Sequence, residues 1–297
     1  MTETIECVGP NGNLLRFENF GGVYPVNRYQ SLWLATTACY EAFALSSAVG
    51  KRLQDMSLWE VCAGGGPCAV LMKSAGMGFV RATDVSPAAL EACRRNAQLN
   101  QQELSEVFHA DMLDTADDHR TFDLIVCNPP CRPTEMCDTS LDSPIGRAIN
   151  GGPGGTLYYQ RLIRGASKKL NSDGRLVFVV VSTIDLTEIK EELNACFPDR
   201  WRVSMNSPVA QPFRIENSDA IRTLNDRCQD RQSIIWRDRN NQYWRFSWVI
   251  VADMQPLPVR NTGSLFLRNH TWELNERDFP GINESLVHGS LNDRDEF

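Results

Sequence analysis

Residues 57–75 have the sequence SLWEVCAGGGPCAVLMKSA, in which one apolar run leads through three glycines into another. This pattern predicts a strand over 57–63, a tight turn and a helix over 68–75. A glycine-rich turn between a strand and a helix allows a ligand to approach the backbone closely. Three successive glycines also suit an ordinary tight turn, so both interpretations stay open at this point.

The alternation of strand and helix continues through most of the chain. Further apolar runs predict six more strands, at 78–85, 106–111, 122–128, 174–182, 201–205 and 243–252. The segments between them predict helices at 87–100, 156–170 and 185–197. Strands separated by helices in succession form a parallel sheet that is covered on both faces. We therefore expect a doubly wound α/β fold with a mostly parallel sheet of seven strands.

The remaining segments flank or interrupt this alternation. We expect residues 1–28 to be irregular and turn-rich, and residues 29–50 to form a helix that Gly50 caps. We expect a long Pro- and Gly-rich loop over 129–155 and a surface hairpin over 230–245.

The composition narrows the class of protein. The 297 residues carry 30 Lys and Arg against 37 Asp and Glu, so the chain lacks the basic field of a general nucleic-acid binder. It has no apolar stretch of about 18 residues and no basic segment followed by an apolar run at its start. The 10 cysteines are scattered without a CxxC pair, and the 4 histidines lack metal-ligand spacing. We expect a cytoplasmic protein with reduced thiols, no membrane association and no metal.

Ligands of parallel α/β sheets bind beyond the carboxyl ends of the strands, so the residues at these ends are the candidates. Asp84 ends the second predicted strand, 20 residues after Gly64, where a carboxylate can accept hydrogen bonds from both hydroxyls of a ribose. Its alternative role is that of an acid at a helix N-terminus. Asp111 and Met112 follow the third strand, where they could contact a nucleoside base, but Asp111 is equally well a solvated turn acid.

The fourth predicted strand ends in Asn128-Pro129-Pro130-Cys131, which is the sharpest signal in the chain. Two prolines fix the backbone just past a buried strand. The side-chain oxygen of Asn128 and the carbonyl of Pro129 can then face one point and accept the N–H groups of an incoming amino or amide nitrogen. A strand that is simply terminated by proline is the alternative interpretation.

These strand-end residues, in this order, resemble the motifs of class I S-adenosylmethionine (SAM) methyltransferases with an NPPY-type motif: Glu60, the glycines at 64–66, Asp84, Asp111 and NPPC at 128–131. Within that family, the chain is most similar to the release-factor glutamine methyltransferases. The segment RAINGGPGGTLYYQRLIRGASKKLNSDGRLVFVV (147–180) adds to the resemblance, because a loop of this NGG type before a helix and a buried strand is typical of the group. The resemblance covers roughly residues 20–185.

The resemblance implies a Rossmann-like fold and an enzyme that uses SAM and releases S-adenosylhomocysteine. It implies a cofactor site at the strand ends, with these residues: Glu60, Cys62, Ala63, Gly64, Gly65, Gly66, Asp84, Val85, Asp111, Met112 and Asn128. It implies that the NPPC motif holds the acceptor: Asn128, Pro129, Pro130 and Cys131. Aromatic candidates for the substrate side are Tyr24, Tyr29, Trp33 and Phe213. Tyr24, Tyr29 and Trp33 are equally well core aromatics of a packed helix.

Two positions depart from the family pattern. Cys62 stands where the family usually has glycine, and Cys131 replaces the aromatic of NPPY, which stacks on a planar target. The segment before the first predicted strand is also shorter than the helical substrate-recognition domain of release-factor enzymes. These departures and the acidic composition favour a small, amino-acid-derived acceptor.

We therefore predict a SAM-dependent methyltransferase that acts on an amino or amide nitrogen of a small amino-acid-derived metabolite. A protein glutamine or a nucleobase is the alternative acceptor, and use of SAM without methyl transfer, for example in a cyclisation, is a further alternative. A nicotinamide-dependent oxidoreductase would explain the glycine turn and Asp84 but leaves NPPC without a role. A non-catalytic SAM-binding scaffold would leave Asn128 without one.

The chain is expected to have three parts. These are an N-terminal segment with a substrate-side helix (1–50), a SAM-binding catalytic domain (51–255) with an insertion at 207–233, and a C-terminal extension (256–297). The extension carries too many large apolar side chains for a freely disordered tail. We expect part of it to pack on the domain or on the second subunit of a homodimer.

Overall fold

The computed structural model describes residues 4–18, 31–115, 118–137, 143–204, 209–213, 222, 224, 226, 235–237 and 243–256. The strands in these ranges are β1 (Thr4–Val8), β2 (Leu14–Glu18), β3 (Ser57–Val61), β4 (Phe79–Asp84), β5 (Glu106–His109), β6 (Phe122–Cys127), β7 (Leu170–Val181), β8 (Trp201–Val203), β9 (Val209–Phe213), β10 (Ile235–Arg237) and β11 (Tyr243–Asp253). The α-helices are α1 (Ser31–Val49), α2 (Pro67–Ser74), α3 (Pro87–Leu99), α4 (Pro144–Ile149), α5 (Leu157–Lys169) and α6 (Leu186–Cys196). No helix in these ranges is long and apolar enough to cross a membrane.

Nine of the described strands form one sheet in the order β10-β11-β7-β6-β3-β4-β5, and β8 and β9 also pair with β11. The strands from β5 to β7 are parallel, whereas β11 runs antiparallel to β7. The predicted seven-stranded, mostly parallel sheet is confirmed, and β9 and β10 extend it. Because β3 lies between β4 and β6, the strand order reverses beside β3, and ligands of such sheets bind at this point.

Four of the parallel strands, β3, β4, β6 and β7, are buried on both faces over most of their length, whereas β5 at the sheet edge is partly exposed. Every residue of β6 is buried, and so are the last eight residues of β7. The ends of β3, β4 and β6, next to the glycine turn, Asp84 and Asn128, are therefore fixed by packing on both sides of the sheet.

The cap predicted for α1 is confirmed, and α3 also begins with a capping residue. Gly50 follows α1 with a φ of 74°, the left-handed conformation that often ends a helix. Pro87 is the first residue of α3, and the side chain of Ser86 accepts a hydrogen bond from the Ala89 N–H group at 3.3 Å. These local signals therefore set the end of α1 and the start of α3.

The prediction of an irregular N-terminus is wrong for residues 4–18. β1 and β2 form an antiparallel hairpin in which Ile5 pairs with Phe17. The side chains of Ile5, Leu15 and Phe17 are buried. Two short strands are marginally stable without further packing, and this hairpin packs against α3. The sequence alone gives too short an alternation to distinguish such a hairpin from a loop.

Three other segments differ from the predictions. The loop expected over 129–155 contains α4, whose six residues are too few to show a helical period. β7 begins at Leu170 rather than at residue 174. The insertion at 207–233 contributes β9 to the sheet.

The hairpin predicted over 230–245 is confirmed, because β10 pairs antiparallel with β11.

A buried ion cluster joins α1 to the antiparallel side of the sheet. Oε2 of Glu41 lies 2.6 Å from Nη1 of Arg175 and 2.6 Å from Nη2 of Arg202. Nε of Arg175 lies 2.6 Å from Oδ1 of Asp253, whose pKa is raised by burial. Removing one member of such a cluster leaves a buried charge without compensation, which is strongly destabilising.

Candidate active site

The glycine turn after β3 adopts a backbone that favours glycine. Gly64 and Gly66 have φ values of 53° and 71°. A Cβ atom at Gly66 would lie 2.3 Å from Sγ of Cys93, so α3 packs directly against the turn. At Gly64, by contrast, no atom lies within 4 Å of a Cβ position. The turn is thus supported by α3 on one side and leaves open space at Gly64.

Cys62 precedes this turn and has a φ of 54°. This left-handed conformation costs an L-residue roughly 1–2 kcal/mol and costs glycine almost nothing. The cysteine therefore adopts a backbone that glycine would adopt readily, at the position where the family pattern has glycine.

Asp84 ends β4, and its carboxylate is bonded to the glycine turn. Oδ2 accepts a hydrogen bond from the Gly64 N–H group at 3.0 Å, and Oδ1 accepts one from the Ser86 N–H group at 2.9 Å. Burial raises the pKa of Asp84, and these N–H groups act against that increase. Each carboxylate oxygen has two lone pairs, so Asp84 can still accept hydrogen bonds from ligand hydroxyls. The predicted ribose contact fits this position and stays a prediction.

Glu60 has a supporting place in the site. Its oxygens accept hydrogen bonds from the N–H groups of Cys68, at 3.2 Å, and Ala69, at 2.7 Å, in the first turn of α2. Burial raises the pKa of Glu60 to about 7. The carboxylate therefore satisfies the start of α2 and fixes the far end of the glycine turn. Direct contact with the cofactor stays a prediction.

The residues after β5 lie beside α5. Met112 is buried, and its Sδ atom lies 3.4 Å from Sγ of Cys62. Asp111 is exposed and forms an ion pair with Arg161 at 2.9 Å. The guanidinium of Arg161 lies 5.8 Å from the ring centroid of Tyr158, whose pKa is raised by burial and by Asp111. Asp111 is thus already paired with a cation, and its contact with a nucleoside base stays a prediction.

The NPPC motif stands next to the glycine turn. Cys127, the last residue of β6, pairs in register with Val61, the last residue of β3. Asn128 and Cys62 therefore follow on neighbouring parallel strands, at the same edge of the sheet. Asn128 is partly exposed there, and Pro129 is buried. The structure thus brings together the two motifs that the sequence places 64 positions apart, at residues 64 and 128.

The loop before α5 holds the NPPC motif by its backbone. The N–H groups of Cys131 and Arg132 donate to the Ile149 carbonyl at 3.2 and 2.8 Å, and Gly151 donates to the Arg132 carbonyl at 2.7 Å. A Cβ atom at Gly151 would lie 2.8 Å from Cα of Cys131, and one at Gly155 would lie 2.5 Å from the Cys131 carbonyl oxygen. The two glycines are therefore required by this close packing.

The surroundings of Cys131 differ from a flat aromatic platform. Its thiol lies near the hydroxyl of Tyr159, a buried residue of α5. Burial raises the pKa of Cys131, and the nearby Arg245 and Arg132 act against that increase. Burial also lowers the pKa of Arg245. The surroundings of the Cys131 thiol therefore combine a phenol and two cations.

Sequence reasoning missed four residues of this region: Tyr158, Tyr159, Arg161 and Arg245. A signal for the tyrosines was available, because two adjacent tyrosines follow the NGG-type loop. Arg245 places a partly buried cation in a mostly apolar strand, which is a weaker signal.

The predicted aromatic residues of the substrate side are not assembled by the described part of the structure. Tyr24 and Tyr29 lie outside the described residues, as does the side chain of Phe213. Trp33 is partly buried and packs against the core, which agrees with the interpretation of a core aromatic. Val85 is exposed beside Asp84, so its predicted cofactor contact stays a prediction.

Comparison with known proteins identifies the part of the chain that carries the site. Residues 44–145 match the family model of the methyltransferase small domain. This segment is a SAM-dependent methyltransferase domain. It contains the glycine turn, Asp84, Asp111 and the NPPC motif, so the predicted enzyme class and cofactor are confirmed for it. The nicotinamide-dependent alternative is left without support.

Two curated proteins are similar to this methyltransferase domain and its surroundings. A Methanocaldococcus jannaschii protein, assigned as a protein N5-glutamine methyltransferase, is 28% identical over 177 residues, which are 59% of this chain and 86% of that protein. The release factor glutamine methyltransferase of Flavobacterium psychrophilum is 27% identical over 152 residues, or 48% of this chain. The chain spans 53% of the length of that second relative.

Among solved structures, the T. thermophilus 16S rRNA N2 G1207 methyltransferase, in complex with AdoMet and guanosine, is similar with a TM-score of 0.48. The sequence identity is 14%, and the match covers 86% of this chain and 51% of that one.

Proposed function

We propose that the protein transfers the methyl group of SAM to a nitrogen atom, namely the carboxamide nitrogen of a glutamine side chain in a protein. The observation that carries this proposal is the position of Asn128 and Pro129, directly beside the glycine turn. The Asn128 side-chain oxygen and the Pro129 carbonyl are two hydrogen-bond acceptors, and a carboxamide NH2 group offers two donors.

The residues around the glycine turn fit SAM. The open space at Gly64 permits a ligand to approach the backbone, and Asp84 has lone pairs left for the ribose hydroxyls. When bound, SAM supplies a methyl group activated by a positively charged sulfonium. The chain itself would contribute the Asp84 carboxylate and the backbone of the turn to holding it.

The chain's part in the transfer would be orientation of the acceptor. Asn128 and Pro129 would accept both N–H groups of the carboxamide, so that the nitrogen presents its remaining electron pair to the methyl group. The N–CH3 bond would form as the bond from the methyl carbon to the sulfonium breaks, S-adenosylhomocysteine would leave, and one of the two N–H protons would pass to solvent. An amide nitrogen is a weak nucleophile and gains much from such positioning. Proximity and orientation supply about 7–11 kcal/mol in favourable cases. The backbone clamp between Cys131 and Gly151 supports this role because it restricts movement of the motif.

The choice of glutamine as the acceptor is supported by the two curated relatives, both of which are named for glutamine methylation. The chain shares the motif region with them and differs at position 131, where an NPPY motif has an aromatic residue. The identity of the acceptor protein is left to experiment.

A second acceptor class is favoured by a specific observation. Arg132 and Arg245 lie near the Cys131 thiol, and a cationic environment suits an acceptor that carries a carboxylate. A free amino acid or a small molecule derived from one has both the nitrogen and the carboxylate. This is the acceptor that the small side chain at position 131 predicts.

The two classes are separated by a product screen with methyl-labelled SAM. The acceptors would be release-factor peptides, the same peptides with glutamate in place of glutamine, free amino acids and their derivatives, and a nucleic-acid sample. Mass spectrometry identifies the methylated atom, and S-adenosylhomocysteine formation without an acceptor reveals SAM use of another kind. We expect labelled peptide only when glutamine is present, and label that forms on the order of 100-fold more slowly with Asn128→Ala.

Label in amino-acid derivatives but not in peptides would replace the first acceptor class with the second. Labelled nucleic acid, or SAM breakdown without any methylated product, would contradict both.

A further inference from the structure

Asn96 on α3 connects the N-terminal hairpin to the glycine turn. Its Oδ1 atom accepts a hydrogen bond from the Glu18 N–H group at 2.9 Å, at the end of β2. Its Nδ2 group donates to the Gly65 carbonyl at 2.9 Å, in the middle of the turn. The side chain is completely buried. A single amide thus bonds two segments that are far apart in sequence.

The peptide that Asn96 holds is fixed at both ends. Its carbonyl, that of Gly65, accepts from Asn96, and its N–H group, that of Gly66, donates to the Ala63 carbonyl at 2.8 Å. Because glycine has no side chain to restrict it, such a peptide could otherwise rotate at little cost. With both polar atoms engaged, it keeps one orientation, and so does the turn on either side of it.

The packing of α3 supports the same arrangement. Cys93 lies one helical turn before Asn96, and its Sγ atom occupies the place where a Cβ atom of Gly66 would be. The two residues therefore present one face of α3 to the turn, Cys93 by contact and Asn96 by hydrogen bonding.

We propose that Asn96 is a positioning residue for SAM: it holds the glycine turn in its binding conformation through the Gly65 carbonyl, while the Glu18 N–H group anchors its Oδ1 atom. This inference rests on the assignment of SAM to the turn. A preorganised turn loses less conformational freedom when the cofactor binds, and so binds it more tightly. By linkage, bound SAM stabilises the Asn96 side chain in this arrangement, and with it the hydrogen bond from the Glu18 N–H group.

The chain offers a matched control on the same helix. Asn100 lies one turn after Asn96 and also bonds the hairpin, because its Oδ1 accepts from the Arg16 N–H group at 2.8 Å and its Nδ2 donates to the Arg16 carbonyl at 2.6 Å. The side-chain hydrogen bonds of Asn100 run to Arg16 of the hairpin and to the Asn96 carbonyl of α3. Replacing Asn100 therefore weakens the hairpin without touching Gly65.

The experiment compares SAM affinity, measured by titration calorimetry, with melting temperature for the full chain. We expect Asn96→Ala to raise the Kd for SAM at least tenfold, with a higher KM for SAM and a kcat close to wild type. Asn96→Asp keeps the acceptor for Glu18 and loses the donor to Gly65, so we expect it to raise the Kd as much. Asn100→Ala should lower the melting temperature but change the Kd less than twofold.

Equal Kd values for wild type and both Asn96 variants would overturn the proposal, as would an Asn100→Ala variant that binds SAM as weakly as Asn96→Ala. Wild-type protein that does not bind SAM would instead contradict the cofactor assignment.

Amide hydrogen exchange on the wild-type protein gives a test that needs no variant to fold. Saturation with SAM should slow exchange of the Glu18 amide, which is bonded to Asn96, at least fivefold more than that of the Arg16 amide, which is bonded to Asn100. The same change at both amides, or no change at either, would overturn the proposal.

Discussion

The Sγ atom of Cys62 lies 3.4 Å from the Sδ atom of Met112, and both residues have a left-handed backbone, with φ values of 54° and 56°. The two residues follow β3 and β5, and β4 lies between these strands in the sheet. The sulfur contact therefore joins the segment after β3 to the segment after β5, across the end of β4. Two non-glycine residues in this conformation so close together mark the place where the fold accepts backbone strain.

This relationship predicts how position 62 tolerates substitution. Cys62→Gly relieves the backbone strain but loses the sulfur contact, so we expect a free energy of unfolding within about 1 kcal/mol of wild type. Cys62→Val places a β-branched side chain at positive φ and should lower the free energy of unfolding by roughly 2 kcal/mol or more. Urea unfolding measures both. Cys7→Val, in the extended strand β1, is the control; equal stability of the Gly and Val variants at position 62 would contradict the strain argument.

Asp84 should determine cofactor affinity. Its carboxylate is close to the glycine turn, and hydrogen bonds to a charged group contribute about 1.5–3 kcal/mol. Asp84→Ala should therefore weaken SAM binding roughly 10- to 150-fold by calorimetry. Asp84→Asn keeps one oxygen acceptor, so its Kd for SAM should lie between those of the wild type and Asp84→Ala. An unchanged Kd in a folded Asp84→Ala protein would remove Asp84 from the cofactor site.

Asn128 should affect turnover and not cofactor binding. It lies beside the turn but is expected to hold the acceptor nitrogen. Asn128→Ala should leave the Kd for SAM within a few-fold and lower kcat on the order of 100-fold, a barrier increase of about 2.7 kcal/mol. Asn128→Asp keeps the acceptor oxygens and serves as the comparison. Near-normal turnover by Asn128→Ala would mean that the prolines simply end a strand.

Substitutions at Cys131 test the acceptor space. A tyrosine there needs room close to the buried Tyr159, which lies near the Cys131 thiol. We expect Cys131→Tyr to keep SAM affinity and to lower kcat/KM at least tenfold, roughly 1.4 kcal/mol. Cys131→Ala should retain most of the activity. Steady-state kinetics with the acceptor found in the product screen measure both, and full activity of Cys131→Tyr would show that a standard aromatic platform fits.

Glu60 should make stability depend on pH near neutrality. Its folded-state pKa is raised to about 7 from 4.5, so the folded protein holds the proton more tightly than the unfolded chain does. The stability that results is complete below about pH 4.5 and is lost as the pH rises through 7. Urea midpoints should therefore fall between pH 5 and pH 8, and Glu60→Gln should show a smaller decrease. Glu91→Gln, at an exposed site of α3, is the control; identical pH profiles for Glu60→Gln and wild type would contradict the assignment.

The parts of the fold that the sequence predicts are those in which one strand is enclosed on both faces. In β6 and β7, burial on both sides demands continuous apolar residues, and that demand is visible in the sequence. The hairpin of β1 and β2 was not predictable in the same way. The side chains that it buries are Ile5, Leu15 and Phe17. Its backbone N–H groups also donate hydrogen bonds to Asn96 and Asn100, and no local sequence pattern indicates these contacts.

The candidate site divides in a similar manner. Asp84 and Asn128 were predictable because the carboxyl ends of parallel strands meet at one edge. Tyr159 and Arg245 were not, since they come from α5 and β11 and reach Cys131 only through tertiary packing. The NGG-type loop is visible in the sequence as a motif. Its contact with Cys131 is between backbone atoms, which no side-chain pattern indicates.

The ion cluster of Glu41, Arg175 and Asp253 defines the minimal fragment of this chain that keeps these buried charges paired. Glu41 precedes the segment matched by the family model, at 44–145, and the other two residues follow it by 30 positions or more. A fragment trimmed to the matched segment would lose β7 and β11, and one that ended before Asp253 would keep Arg175 without one of its two carboxylates. Deletion work on either end should therefore start outside residues 41 and 253.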